Sequence, residues 1–138
     1  MSPVKFFSEA WCEEALKAEA VAVDRVLKAF KNAKTFTHVL AFEVTDQPGL
    51  VSHVQYVEGR PVAWTSTDLF SENEVWARFA AKLEHYREAV DGVTPAANLV
   101  MAGKMRLVKG AMKDAIENAQ PLNVLVGTWG TIATDWDV

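Results

Sequence analysis

The N-terminal part of the chain carries a helical pattern of apolar residues. Over residues 8–32 they recur at steps of three and four, which places them on one face of a helix: Leu16, Ala20, Val23, Leu27 and Phe30. The β-branched residues Val21 and Val23 weaken the middle of this segment. The pattern therefore predicts either one bent helix or two helices, with the break within residues 18–24.

Three strand-like runs follow. Residues 36–45, 50–58 and 62–68 are rich in β-branched and aromatic side chains, and the sequences QPG and EGRP between them are turn signals. Turns this short join antiparallel neighbours rather than crossover units. The three runs predict an antiparallel meander.

Residues 70–90 have the strongest helical pattern in the chain. Ser71 and Glu74 have the spacing of a capping box, and Phe70 and Val75 that of a hydrophobic staple. The apolar residues behind them follow a helical face, widened by Trp76 and Ala80: Val75, Phe79, Leu83, Tyr86 and Val90. One long helix is predicted here.

The last third predicts a short helix, a strand and further helix. Thr94 and Pro95 suit a helix start, and that helix reaches about residue 102. Over residues 104–107 basic and apolar side chains alternate, as on a strand with one wet and one dry face. Residues 111–120 are helical, Pro121 interrupts them, residues 122–129 are strongly apolar, and the acidic tail is expected to be loose. The whole pattern predicts one α+β domain spanning residues 1–138.

Composition and charge exclude several classes of function. Half of the residues are hydrophobic and the net charge is -4, with no basic tail, so nucleic acid is not an expected partner. No apolar run is long enough for a transmembrane segment, and the N-terminus lacks the apolar core of a signal peptide. A lone Cys12 cannot form an internal disulfide. The chain is expected in the cytoplasm.

Signals of catalysis are weak. The sequence has no glycine-rich phosphate loop, no His-Glu-x-x-His helix and no Gly-x-Ser-x-Gly elbow. His38 and His53 would be cross-strand neighbours if the first two strands pair, which leaves a two-histidine metal or acid–base site open. No carboxylate stands at a recognisable spacing from either, so we predict no catalytic residue, no metal and no cofactor.

Large apolar side chains are the chain's most abundant feature, with five Trp and seven Phe. A packed core accounts for most of them, but three methionines near residues 101–112 and an apolar segment after Pro121 favour an adaptable cavity. The candidate lining residues lie on the predicted sheet and helices: Phe42, Val54, Tyr56, Trp64, Trp76, Phe79, Leu83, Leu99, Met101, Met105, Leu107, Met112, Ile116, Leu122, Leu125 and Trp129.

The order of these elements resembles the sterol carrier, or nonspecific lipid-transfer, protein family. The similarity is sharpest in TPAANLVMAGKMRLVKG, residues 94–110, where a Pro, a short helix, Gly-Lys, an alternating strand and a final Gly match the family pattern. The segment TSTDLFSENEVWARF looks like the strand-to-helix segment of the family, and FFSEAW looks like its small single-domain bacterial members. Ala111 departs from the pattern, since an acidic residue usually follows that Gly. The ending WDV is not a peroxisomal signal.

The resemblance implies a curved, mostly antiparallel sheet of about five strands covered by helices, with an apolar tunnel that binds fatty acids, fatty acyl-CoA, sterols or other lipids. Met105 and Leu107 would face the interior, and Lys104 and Arg106 would face solvent. These two cations are equally consistent with a polar mouth that pairs with a lipid headgroup and with solvated edge charges that discourage strand aggregation.

Three functions follow as alternatives. The first is a non-catalytic carrier of a hydrophobic small molecule or lipid. The second is an interaction or accessory module with the same fold and a filled core, which works either as a homodimer or as an accessory to a lipid enzyme. The third is a small enzyme on an α+β cone that uses His53 or His38 as a base inside the pocket; it needs a carboxylate within hydrogen-bond reach of that histidine.

Overall fold

The computed structural model describes residues 2–66 and 70–138. Six α-helices occur along these residues, and they are, in chain order, α1 to α6: Glu9–Val21, Val23–Ala29, Leu83–Val90, Ala96–Met101, Met112–Glu117 and Ala119–Trp129. The β-strands, β1 to β7, are Val4–Lys5, Val39–Val44, Val51–Val57, Arg60–Thr65, Val75–Ala81, Met105–Lys109 and Thr134–Asp135. The predicted α+β class is confirmed.

The N-terminal segment forms two helices. Ser8 caps α1, where its hydroxyl oxygen accepts from the Trp11 N–H at 3.2 Å, and Ala22 separates α1 from α2. The predicted break is therefore confirmed, but the predicted face is rotated. The buried stripe of α1 is Trp11, Cys12, Ala15 and Glu19, whereas Ala20 is exposed.

Five strands form one sheet in the order β4-β3-β2-β5-β6. β2, β3 and β4 are the predicted antiparallel meander, and β6 pairs antiparallel with β5. β2 and β5 are parallel, so the chain crosses over between β4 and β5. The sheet is mostly antiparallel, as predicted, with one parallel pair at its centre. The end of the third predicted strand, residues 67–68, lies outside the described residues.

The helix predicted over residues 70–90 is wrong for its first half. Residues 75–81 are β5, and only Leu83–Val90 is helical. Val75 and Phe79 are four residues apart, a spacing that fits both the same face of a helix and the same side of an unbroken strand. The Ser71–Glu74 contact does form, with the Glu74 carboxylate accepting from the Ser71 N–H at 3.2 Å, but it closes a turn before β5.

A β-bulge re-aims the side chains at the start of β5. The register against β2 shifts between Val39↔Val75 and Leu40↔Ala77, which leaves Trp76 as the extra residue. Ala77 then packs with Phe79 on the helix-covered face, while Val75 packs with Val39 on the opposite face.

Aromatic side chains fill the interior between the sheet and one group of helices. Trp11, Trp64 and Trp129 contact each other with ring centroids 5.2 to 6.1 Å apart. Phe42 joins this cluster at 5.4 Å from Trp129. This end of the interior is packed with large rings in mutual contact.

The two chain ends lie side by side, so the prediction of a loose tail is wrong. β1 and β7 pair in parallel, with Val4 opposite Thr134. Trp136 packs on Phe6, with ring centroids 4.5 Å apart. Ring packing and strand pairing outweigh the acidic composition of this tail.

Candidate functional site

An apolar cavity lies beside the aromatic cluster, between the sheet and helices α1, α2, α5 and α6. Its walls come from nearly every element of this half of the molecule: Glu19, Val26, Phe30, Phe36, Leu40, Tyr56, Trp76, Ala77, Phe79, Leu107, Gly110, Ala111, Asp114, Ala115, Asn118, Pro121, Leu122 and Leu125. Trp76 and Ala77 are neighbours in the chain and both line it, which the bulge in β5 permits.

The cavity is small. Its enclosed volume is about 40 Å³, and the larger figure of about 570 Å³ is reached only when open solvent at the mouth is included. Ligand sites in proteins enclose about 300–1,000 Å³ and are mostly apolar. The enclosed volume of this cavity is well below that range, so its walls must move apart to admit a ligand.

The mouth lies where β6 passes into α5. Gly110 and Ala111 are exposed there, and Asp114 and Ala115 are half-buried. Gly110 has a φ of +106°, and a Cβ on it would lie 3.2 Å from the Trp76 carbonyl oxygen and 3.3 Å from the Ala77 Cβ. A side chain at this position would be strained and would press on β5 at the rim of the cavity.

A buried carboxyl group lines the cavity. Glu19 is 0% exposed, and the Tyr56 hydroxyl donates to its Oε1 at 2.9 Å. Burial raises the pKa of Glu19 to about 8, while the hydrogen bond from Tyr56 acts in the opposite direction. Burial, and then the nearby Glu19, raise the pKa of Tyr56 well above its usual value. Both groups are therefore neutral near pH 7.

Glu19 Oε2 is buried without a hydrogen-bond partner among the residues that the structure describes. Buried polar atoms in folded proteins are nearly always hydrogen-bonded. Because Oε1 already accepts from Tyr56, the proton of the neutral carboxyl group resides on Oε2. Oε2 is thus an unused hydrogen-bond donor on a residue that lines the cavity.

Part of the predicted apolar set lines this cavity: Tyr56, Trp76, Phe79, Leu107, Leu122 and Leu125. Others are buried in the core outside it: Phe42, Val54, Trp64, Leu99, Met105 and Trp129. Leu83 packs at the edge of that core. Three more are exposed outside the cavity, namely Met101 at 68%, Met112 at 46% and Ile116 at 55%.

The two predicted mouth cations lie away from the cavity. β6 alternates as predicted, with Met105 buried, Leu107 half-buried, and Lys104 and Arg106 exposed. Neither Lys104 nor Arg106 lines the cavity, and the charged group at the mouth is Asp114. No lysine or arginine is among the lining residues that the structure describes.

Sequence reasoning did not find Glu19. Its signal is the spacing Cys12, Ala15, Glu19, at which a glutamate repeats the positions of small buried residues on α1. A charged residue at a buried helical position needs a partner or a neutral state. The partner, Tyr56, is distant in sequence and becomes evident only in the fold.

His38 and His53 do not form the predicted cross-strand pair. His38 exchanges backbone hydrogen bonds with Tyr56, at 3.1 and 2.8 Å, whereas His53 lies opposite Ala41. His53 is on the sheet face away from the cavity, where its ring centroid lies 6.1 Å from that of Phe70. The His38 ring stacks on Trp76, with ring centroids 4.1 Å apart. Within the described ranges, no ion pair of 4.0 Å or less joins His38 to a carboxylate.

Two further features are absent from the described residues. No group of three or more His, Cys, Asp or Glu among residues 2–66 and 70–138 is arranged to hold a metal ion. None of the described helices is both long enough and apolar enough to span a bilayer.

The architecture is the sterol carrier protein fold, which confirms the fold implied by residues 94–110. The crystal structure of sterol carrier protein 2 superposes with a TM-score of 0.79 at 21% identity, over 94% of this chain and 100% of that one. A solution structure from Thermus thermophilus shows a conserved hypothetical protein described as possibly a sterol carrier protein. It superposes with a TM-score of 0.77 at 20% identity, over 98% of this chain and 94% of that one. Sterol carrier protein 2 from Yarrowia lipolytica, in its apo form, superposes with a TM-score of 0.50 at 16% identity, over 83% of this chain and 87% of that one.

No protein-family model matches the sequence, and no curated protein matches it either. At these identities the structural similarity establishes the fold.

Proposed function

We propose that this protein is a non-catalytic carrier that binds a hydrophobic small molecule of lipid type in the cavity beneath α5 and α6. The observation that carries the proposal is the cavity itself, which is walled by apolar side chains and open beside Gly110 and Ala111. Burying apolar ligand surface at about 25 cal/mol per Å² is the main source of affinity for such a site.

The sterol carrier fold of the neighbouring structures supports the same function. We further propose that the carrier acts in the cytoplasm, as expected from the sequence. The packed aromatic cluster supports a division of the interior into two parts. Trp11, Trp64 and Trp129 stabilise the fold, and the space beside them receives the ligand.

A pair of substitutions on α5 tests the cavity as the binding site. Ala115 lines the cavity, whereas Met112 is on the same helix, exposed and outside it. Phenylalanine at position 115 would occupy the space of the ligand. We expect Ala115→Phe to weaken binding of diphenylhexatriene, an uncharged rod-shaped fluorescent probe, by at least about tenfold, and Met112→Phe to leave it unchanged.

Fluorescence titration of the three proteins measures the effect. Saturable binding that Ala115→Phe and Met112→Phe weaken equally would place the probe outside the cavity. An absence of saturable binding in the wild type would reject the carrier and favour an interaction module.

A further inference from the structure

We propose that Glu19 and Tyr56 form a polar subsite in the buried part of the cavity wall, which receives an uncharged oxygen group of the ligand and directs its hydrocarbon part toward the mouth. The inference rests on the proposed carrier function and names the chemical class of its ligand. That class is an apolar molecule that carries a hydroxyl or carbonyl group and no ionised group.

The first support is the geometry of the carboxyl group. Glu19 is fully buried, lines the cavity and is held by Tyr56 through Oε1 at 2.9 Å. Oε2 has no partner within residues 2–66 and 70–138. A ligand oxygen that accepts from Oε2 would satisfy this atom, and burying an unsatisfied polar group is costly enough to make that contact selective.

The second support is the distribution of charge. Tyr56 on β3 and Asp114 on α5 are the other titratable side chains in the described cavity wall, and α6 contributes no charged side chain. Charged residues on the other elements packed around α1 are exposed: Lys5, Asp24, Arg25, Lys28 and Arg60. A free carboxylate would meet Asp114 at the mouth and Glu19 inside, with no cation on the wall to pair with it.

The third support is the shape of the site. The enclosed volume of the cavity is only about 40 Å³, so a hydration shell cannot accompany a charged group inward. An uncharged oxygen loses less hydration energy on entry than a charged group does, and the hydrogen bond from Oε2 offsets that loss. The subsite of Glu19 and Tyr56 therefore selects for a neutral polar group.

Two variants of Glu19 test the subsite. Glu19→Gln retains an oxygen for Tyr56 and offers an N–H donor in place of Oε2, while Glu19→Met has similar length and no hydrogen-bonding capacity of this kind. We expect Glu19→Met to weaken decanol binding about tenfold without weakening decane, and Glu19→Gln to bind decanol within about threefold of wild type. Competition with diphenylhexatriene measures the affinities of all three proteins for decanol and decane, and urea unfolding verifies that each protein is folded.

A wild-type measurement provides the second test, which does not depend on any variant. A methyl ketone only accepts hydrogen bonds, whereas an alcohol also donates. As the pH rises through the pKa of Glu19, about 8, Oε2 loses its proton and becomes an acceptor. We expect the affinity for methyl octyl ketone to fall about tenfold relative to that for decanol across this pH range, and Glu19→Gln to abolish the difference.

The outcomes separate the subsite from the carrier. If the probe binds, but Glu19→Met changes decanol and decane alike and the ketone follows decanol with pH, the polar subsite is rejected and the carrier stands. If the wild type binds neither the probe, decanol nor decane, both proposals fail.

Discussion

Glu19 links the stability of the protein to pH. An ordinary glutamate ionises near pH 4.5, whereas burial raises the pKa of Glu19 to about 8 in the folded chain. Between these values the folded state binds a proton that the unfolded state has released. Stability from this group is therefore complete below about pH 4.5 and is lost as the pH rises toward 8.

Glu19→Gln removes this titration. In the wild type we expect Glu19 to contribute a downward slope in the free energy of unfolding of up to about 1.4 kcal/mol per pH unit between the two pKa values. Urea unfolding of both proteins at several pH values isolates this contribution, as the difference between the pH slopes of their free energies of unfolding. A wild-type curve parallel to that of Glu19→Gln would show that the carboxyl group titrates normally in the fold.

Cys12 is the other buried titratable group of α1. It is 0% exposed, and burial raises the pKa of its thiol to about 12, although its contact with the Ser52 hydroxyl, 3.5 Å away, partly offsets this. Only the thiolate reacts rapidly with electrophiles. A structural thiol is therefore indicated rather than a nucleophile.

We expect Cys12 to resist a thiol reagent such as dithiobisnitrobenzoate in the native protein and to react fully in denaturant. The rate of colour formation in the two conditions measures this, and the unfolded chain is its own control. Rapid reaction of the native protein at neutral pH would require an opening of α1 that the packing around Trp11 and Cys12 does not provide.

At the level of elements, β5 shows where sequence reasoning succeeds and fails. The meander β2–β4 and the alternation in β6 were predictable because their turns and period of two are local signals. β5 was not, because its apolar spacing also fits a helix and its bulge breaks the alternation. Its true state is fixed by pairing with β2, which precedes it by some 30 residues in the printed sequence and is a non-local contact.

The same reasoning applies to the cavity. Tyr56, Phe79 and Leu107 were predictable as lining residues because they are apolar and face the interior of their strands. Hydrophobicity cannot distinguish them from Phe42 or Met105, which face the same interior but are packed in the core outside the cavity. That difference depends on where the helices cross the sheet.

Helix α5 is the least anchored wall of the cavity. It spans only Met112–Glu117, has no buried residue, and lies between the exposed mouth and α6. Helices this short derive their stability from packing. We expect amides of α5 to exchange with deuterium much faster than those of α6, and decanol to slow α5 specifically because the ligand would pack against Ala115.

Native-state hydrogen exchange with and without decanol measures both effects. β5 serves as the internal reference because it is paired on both sides, between β2 and β6. Protection of α5 equal to that of α6 without ligand would contradict this account of the mouth, and slowing spread over all elements would indicate global stabilisation alone.

At the scale of the whole molecule, contacts between the chain ends complete the wall of the aromatic core. Trp136 packs on Phe6, and the Arg87 guanidinium lies 5.7 Å from the centre of the Trp136 ring. The Trp11 indole N–H donates to the Thr134 hydroxyl at 3.1 Å, which joins β7 to α1. Among the contacts of the chain ends, apolar packing and this partly buried hydrogen bond contribute most to stability.

The ion pair between Lys5 and Asp135 is a weak one, because its atoms are 3.8 Å apart and its side chains are largely exposed. Two substitutions therefore separate packing from charge. We expect Trp136→Ala to lower the free energy of unfolding by about 2 kcal/mol, since the half-buried ring contributes less than a fully buried one. Lys5→Ala should cost less than about 1 kcal/mol.

Urea unfolding at low and high salt distinguishes the two contributions. Salt should diminish the small effect of Lys5→Ala and leave that of Trp136→Ala unchanged, because exposed charges are screened and ring packing is not. If Lys5→Ala proved as costly as Trp136→Ala, electrostatic pairing would be the main stabiliser of the chain ends. Because β7 holds α1 through Trp11, loosening Trp136 should also weaken decanol binding, since Glu19 is on the same helix.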